Sequence, residues 1–338
     1  MAATAAKPKK AVESKPPERI EHRGLLDVRG LTTHFKLGAG RVQAVRDVSF
    51  TVEPGESLGL AGESGCGKTT AALSILKLLP ENGRLVSGEV LFDGRNLAKR
   101  TEYGMSKIRW KEISIIFQGA MNALNPVRTI ESQIVEALQV HGVASSARAA
   151  KRRAGELLEL VGIAPERGSQ FPHQYSGGMR QRAVMAMALA CQPHVLIADE
   201  PTTALDVMIQ AQILETLQRL QRELSLSVIF VTHDLGLVAE VCDDVLVMYA
   251  GTAVEAAGCD AIFNAAAHPY TQRLLQAFPD VERPGAALSS IPGNPPRLDD
   301  LPPGCRFQPR CLRRIDACAS QSPPQVEVAP GQRAACLL

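Results

Sequence analysis

Gly62-Glu63-Ser64-Gly65-Cys66-Gly67-Lys68-Thr69 is the stretch on which the reading of this chain turns. It fits the spacing G-x-x-x-x-G-K-[ST]. The apolar run Ser57–Ala61 precedes it, and a helical pattern from Thr69 to Leu79 follows, ended by Pro80. Strand, glycine-rich turn and helix in that order make an anion cradle. Glycines let backbone N–H groups close around phosphate oxygens with no Cβ in the way, and the helix N-terminus adds its positive end. Lys68 can reach β- and γ-phosphates, the Thr69 hydroxyl can ligate Mg²⁺, and Thr70 follows at the same helix start. The bland alternative is a turn with no ligand, and the strand–loop–helix context argues against it. Cys66 reads as a small filler inside the loop rather than a reactive thiol.

Outward from this loop, short apolar runs alternate with helical patterns. Leu26–Val28, Ala44–Val52, residues 88–97, residues 113–117, Val195–Ala198 and Val228–Val231 read as strands. Residues 129–165 read as helical, with Ile134, Leu138, Leu157, Leu158 and Val161 as core positions, and Ala183–Ala190 and Gln210–Leu224 as further helix. Strands alternating with helices imply an α/β fold, a mostly parallel sheet covered on both faces. Near residue 279 the composition turns to Pro and Gly and periodicity disappears, which predicts a linker.

With 338 residues the chain has room for one large domain plus an appendage, and 45% apolar residues supply a sizeable core. A net charge of +2 and only 4% aromatics argue against a nucleic-acid surface. No run of 18 apolar residues predicts a membrane span. Residues 1–23, rich in Ala, Lys, Pro and Glu, have no apolar segment of a secretory signal and read as a disordered leader.

Val195-Leu196-Ile197-Ala198-Asp199-Glu200 is an apolar run ending in two carboxylates. A buried strand would deliver both to its C-terminal end, where open α/β sheets bind ligands. Asp199 suits the Mg²⁺ role and Glu200 the positioning or deprotonation of an attacking water. An apolar run ending in Asp is common by itself, and it becomes informative downstream of a phosphate loop.

Taken together these motifs resemble the ABC ATPases. Tyr175-Ser176-Gly177-Gly178-Met179-Arg180-Gln181-Arg182 is similar to the family signature L-S-G-G-Q, with Tyr175 in place of Leu and Met179 in place of Gln. Ser176, Gly177 and Gly178 keep the anion-binding part, and Tyr175 is a candidate for tuning the coupling of hydrolysis to transport. The resemblance implies an ABC-type nucleotide-binding domain over residues 24–278: a P-loop core, an antiparallel β subdomain and a helical subdomain at about 119–182. It implies Gln118 as the glutamine that senses Mg²⁺, with Thr69 and Asp199 as the other Mg²⁺ residues. It implies Thr203-Ala204-Leu205-Asp206 as a loop crossing a dimer interface at Asp206, and His233 as the γ-phosphate histidine beside the base Glu200. Adenine stacking falls to Phe35, with Val42 as an apolar alternative. ATP would lie between the phosphate loop of one subunit and the signature of another, so a second nucleotide-binding subunit is implied.

His268-Pro269-Tyr270-Thr271, Leu274-Leu275, Ile291-Pro292-Gly293, Pro302-Pro303-Gly304-Cys305 and Asn125-Pro126 are similar to the dipeptide/oligopeptide importer ATPases. That branch implies two transmembrane permeases, an extracytoplasmic solute-binding protein and a place on the cytoplasmic face of the membrane. The alternatives are a non-transport ABC ATPase, such as an accessory subunit of a carbon–phosphorus lyase, or an importer ATPase for nickel or oligosaccharide. Residues 279–338 would form a small extension holding Cys305, Cys311, Cys318 and Cys336. Four thiolates separated by five, six and seventeen residues can hold zinc or an iron–sulfur cluster. The missing C-x₂₋₄-C pairs disfavour zinc, and the resemblance implies a [4Fe–4S] cluster. A structural staple is preferred to a redox sensor, so Cys318→Ser is expected to spare hydrolysis and loosen residues 280–338. Cys191, Cys242 and Cys259 read as core.

Overall fold

The computed structural model describes residues 26–38, 40–119, 123–203, 205–277 and 290–338. The leader, residues 279–289 of the linker and Ala204 lie outside the described residues.

The chain opens with β1 (Leu26–Leu37), β2 (Gly40–Val52) and β3 (Ser57–Ala61), then α1 (Lys68–Ile75). β4 (Gly83–Phe92), β5 (Arg95–Asn96), α2 (Glu102–Ser106) and β6 (Ile113–Ile116) follow. α3 (Ile130–Val140), α4 (Ala147–Leu160) and α5 (Gly177–Ala188) then lead into β7 (Val195–Asp199), α6 (Val207–Leu224) and β8 (Ser227–Thr232). The last part holds α7 (Leu235–Val241), β9 (Asp244–Tyr249), β10 (Thr252–Gly258), α8 (Cys259–Ala265), α9 (Pro269–Gln276), β11 (Val326–Ala329) and β12 (Gln332–Ala334).

Two sheets result. The smaller is antiparallel, in the order β2-β1-β4-β5. The larger runs β11-β12-β10-β9-β3-β8-β7-β6, and its five strands from β9 to β6 are parallel. Every residue of β3, β7 and β8 is buried, which is why those strands read as unbroken apolar runs. One apolar core lies between the antiparallel sheet, α1 and the parallel strands, centred on Leu31, Val48, Ile75, Phe92 and Leu60. A second joins α3–α6 to the other face through Ile134, Leu157, Met185, Leu217 and Phe230.

All five core positions expected within residues 129–165 are buried, but that stretch is two helices rather than one. His141 ends α3, Gly142 turns the chain at φ 66°, and the Ser146 hydroxyl caps α4 by accepting from the Ala149 N–H. A positive-φ glycine followed by a serine cap ends one helix and starts the next.

The C-terminal residues return to the larger sheet. β12 pairs with β10, and Phe307 joins Tyr249 and Tyr270 in a third core. Glu255 on β10, fully buried, accepts from the Ala267 and His268 N–H groups and from Gln332 Nε2, at 2.7, 3.0 and 2.8 Å. Three donors on one carboxylate tie the start of α9 and β12 to the sheet. Among the described residues, no helix is long and apolar enough to cross a membrane.

Candidate active site

Four adjacent parallel strands deliver the site. In the order β3-β8-β7-β6, their C-terminal ends lead into the phosphate loop, His233, the Asp199–Glu200 pair and Gln118. Ala61 registers with Thr232, Asp199 with Val231 and Ile116 with Ala198, so the loops leave one edge of the sheet side by side.

The loop needs its glycines. Gly62 sits at φ 143°, where an added Cβ would lie 2.2 Å from the Met248 carbonyl oxygen. Gly67, at φ 104°, would place a Cβ 2.5 Å from the Ala44 oxygen. Neighbouring backbone has closed on the space a side chain would need. Lys68 is 5% exposed and donates to the Gly62 and Glu63 carbonyls at 2.7 and 3.1 Å. Cys66 is buried, 3.7 Å from Lys68 Nζ, and burial pushes its thiol pKa up, away from a reactive thiolate.

The two carboxylates have opposite environments. Asp199, 1% exposed, accepts from the Thr69 hydroxyl at 3.1 Å. Burial pushes its pKa up to about 6, against the Thr69 hydrogen bond. Burial also acts to raise Glu200, but hydrogen bonds from Thr203 and His233 and the nearby Lys68 charge outweigh it, and its pKa falls below the ordinary value. Glu200 Oε2 accepts from Gln118 Nε2 at 2.8 Å and from the Thr203 hydroxyl at 2.9 Å, and Oε1 lies 3.1 Å from His233 Nδ1. The Glu200 backbone stands at φ 47°, anchored by its N–H on the Val231 oxygen at 2.8 Å. A left-handed non-glycine residue costs about 1–3 kcal/mol and persists where the surroundings enforce it.

Glu200, His233 and Gln118 are thus brought together, with Thr69 on Asp199 beside them. Thr203 opens the segment Thr203–Asp206, but nothing in that pattern signals that its hydroxyl holds Glu200. The signature stands apart. Ser176 caps α5 by accepting from the Met179 N–H, and Gly178 packs so tightly on α6 that a Cβ would meet Ile209 Cγ2 at 2.7 Å. Among the described residues, Ser176–Gly178 share no hydrogen bond with residues 62–69. Tyr175 is 3% exposed and donates its hydroxyl to the Arg167 oxygen at 3.0 Å, so its contacts are those of a core residue. Asp206 caps α6, accepting from the Ile209 N–H at 2.9 Å. Phe35 and Val42 face each other across the β1–β2 ladder, and the edge of the Phe35 ring packs on Gly83.

Cys305, Cys311, Cys318 and Cys336 line one cavity of about 10 Å³ with His268 and Phe307. Burial pushes the Cys305 thiol up, and the nearby Cys318 and Cys311 add to the shift. Among the described residues, no three His, Cys, Asp or Glu side chains form a group that could hold a metal ion. The thiols are gathered without being in a ligating arrangement. Cys191 is buried, and Cys242 and Cys259 are partly so.

A phosphate loop, an acidic strand end, a histidine and a glutamine on one sheet edge, with a serine–glycine turn opening a separate helix, define an ATP-binding cassette. Residues 45–203 match the ABC transporter family, and residues 254–318 match the family described as oligopeptide/dipeptide transporter, C-terminal region. The oligopeptide transport ATP-binding protein OppD of Bacillus subtilis is 50% identical, over 90% of this chain and 86% of that relative. OppD of Escherichia coli is 45% identical, over 92% of each. The dimeric ATP-binding cassette MJ0796, solved with ADP and Pi, superposes with a TM-score of 0.62 at 27% identity, over 69% of this chain and 98% of that one. The chain belongs to the ATP-binding proteins of ABC transporters, in the oligopeptide/dipeptide branch, and is an ATPase.

Proposed function

We propose that this ATPase powers uptake of di- and oligopeptides from the cytoplasmic face of the membrane. The observation that carries the hydrolytic part is Glu200, held by Gln118, Thr203 and His233 beside the loop that carries Lys68 and Thr69. Glu200 accepts a proton from the water that attacks the γ-phosphorus, and His233 stabilises charge on the departing phosphoryl group. Thr69 and Asp199, with Gln118 nearby, are the residues that would hold Mg²⁺, which would supply neutralisation of phosphate charge. Ser176–Gly178 of a second nucleotide-binding subunit, identical or paralogous, close over the nucleotide, with Asp206 at the joint.

The peptide assignment is supported by the match over residues 254–318 and by the OppD relatives. In this reading residues 24–278 form the nucleotide-binding domain. Within them, residues of about 119–182 form a helical subdomain that receives a short coupling helix from a membrane permease; two transmembrane permeases and an extracytoplasmic solute-binding protein complete the importer. Residues 279–338 form an extension whose four cysteines take up a [4Fe–4S] cluster, with zinc as the alternative. Four thiols on one cavity support the cluster, and since no ligating group is preformed, assembly has to rearrange them. Iron and acid-labile sulfide at four per chain would support it, and zinc or no metal in anaerobically purified protein would remove it.

Affinity capture of tagged protein from gently solubilised native membranes, with mass spectrometry of the partners, tests the transport reading. Two polytopic permeases and a peptide-binding protein are expected. Recovery only with soluble enzyme subunits would refute it and leave the ATPase.

A further inference from the structure

Arg310 reaches the phosphate loop from 247 residues away in the chain. It sits in the 3₁₀ turn Gln308–Arg310, next to Cys311, and is 6% exposed. Its guanidinium forks onto the Glu63 carboxylate, with Nη1 2.6 Å from Oε2 and Nη2 2.9 Å from Oε1. Its Nε donates to the Pro292 oxygen at 2.8 Å, Nη1 also reaches the Tyr249 hydroxyl at 3.3 Å, and the cation lies 5.7 Å from the Tyr249 ring centroid. A second tether holds the same loop residue by its backbone: the Glu63 N–H donates to the Tyr270 hydroxyl at 3.0 Å. Tyr270 is fully buried against Tyr249 and Phe307, with ring centroids 4.6 and 5.3 Å away. A third contact lies beside these, where Arg306 donates to the Ala250 oxygen, adjoining Gly251, whose N–H bonds the Cys66 oxygen at 2.8 Å.

Glu63 places a negative charge in a loop whose ligand is polyanionic. Left unpaired, that carboxylate would repel phosphate and attract the Lys68 ammonium that phosphate requires. A bidentate guanidinium cancels the charge and fixes the plane and distance of the carboxylate, which a lysine cannot do.

We propose that Arg310 is a positioning residue for nucleotide binding: by neutralising and clamping Glu63 it sets the affinity of the phosphate loop. The turn between Cys305 and Cys311 is then the route by which the C-terminal segment acts on hydrolysis. This rests on residues 62–69 being the nucleotide site.

The test uses the full-length protein, fluorescent ATP for binding, and steady-state hydrolysis, with Arg310→Met, Glu63→Gln and the double variant. Arg310→Met raises Kd and KM for ATP about tenfold while kcat stays within about twofold, the pattern of lost uniform binding. In the Glu63→Gln background the same substitution changes KM less than about threefold, because the charge it acted on is gone. A general loss of structure would carry equal penalties in both backgrounds, and that result overturns the proposal. So does Arg310→Met binding ATP like the wild type. If Arg310→Met does not fold, Arg310→Lys keeps the charge without the fork and gives an intermediate rise of about threefold, again abolished by Glu63→Gln. Arg310→Lys at wild-type KM would then overturn it. Failure of the wild type itself to bind ATP would overturn the nucleotide-site reading beneath it, a result distinct from any confined to the variants.

Discussion

Asp199→Asn should abolish hydrolysis and make the nucleotide-free protein more stable at neutral pH. Asp199 is 1% exposed, and its carboxyl releases its proton near pH 6 rather than at its ordinary 3.8. Since the folded-state pKa is the higher, the native protein binds more protons than the unfolded chain between those values. Stability from this group is therefore fully present below about 3.8 and is lost as pH rises through about 6. Above that window the ionised, buried carboxylate costs about 3 kcal/mol relative to its protonated form. Asparagine keeps the shape and the acceptor for the Thr69 hydroxyl and has no charge to bury. The variant should melt about 4–5 °C above the wild type at pH 8, and the gap should shrink to about a third of that at pH 4.5. Calorimetric or fluorescence melts of both proteins without nucleotide, at matched ionic strength, make the comparison. Carboxylates remote from residue 199 titrate alike in both and cancel. A gap that is absent at pH 8, or equally large at pH 4.5, would refute the argument that burial of this carboxylate dominates.

Glu200→Gln should keep ATP binding and lower kcat by about 10²- to 10⁴-fold, the usual contribution of a general base; single-turnover hydrolysis of bound ATP reads it, and turnover within tenfold of wild type would remove Glu200 from that role. Gly62→Ala should abolish nucleotide binding in a protein that still shows its β-sheet signal, because the added Cβ would fall 2.2 Å from a main-chain oxygen; measurable binding by fluorescent ATP would contradict the close approach. Cys318→Ser should leave kcat at saturating ATP nearly unchanged, speed proteolysis within residues 280–338, and raise KM as the Arg310 clamp loosens; a protease-resistant tail with lost turnover would oppose this.

The phosphate loop and the acidic strand end were legible because their causes are local. A strand buried on both faces must be apolar throughout, and a loop that wraps phosphate must have glycine where backbone crowds it. The ends of helices were less so: the break between α3 and α4 depends on Gly142 and Ser146, two small signals inside a long apolar periodicity. The clamp on the phosphate loop was not legible. Tyr270 lies in His268–Thr271, a segment the sequence did single out, but nothing in its pattern says that its hydroxyl meets the Glu63 N–H. Arg310 is one arginine among many, and only the return of the chain to β10 brings it to Glu63. Tyr175 shows the converse. It departs from the signature it interrupts, yet its side chain is core, and its hydroxyl bonds a carbonyl eight residues back.

The division of labour between the two carboxylates follows from how many acceptor positions each has left. An ionised carboxylate offers about four lone-pair sites. On Glu200, Oε2 already receives Gln118 and Thr203, while Oε1 meets only His233. The open position is therefore on Oε1, beside the histidine, and a water held there would face both the base and the group that stabilises the leaving charge. Because its pKa lies below the ordinary value, Glu200 is ionised at neutral pH and ready to accept a proton. Its low basicity, set first by the Thr203 and His233 hydrogen bonds, is no obstacle if the proton moves only as negative charge leaves the γ-phosphoryl group. Asp199 has the opposite need. Burial raises its pKa to about 6, so its ionised form is costly at neutral pH until a cation offsets the charge, and its burial couples charge at that position to nucleotide loading.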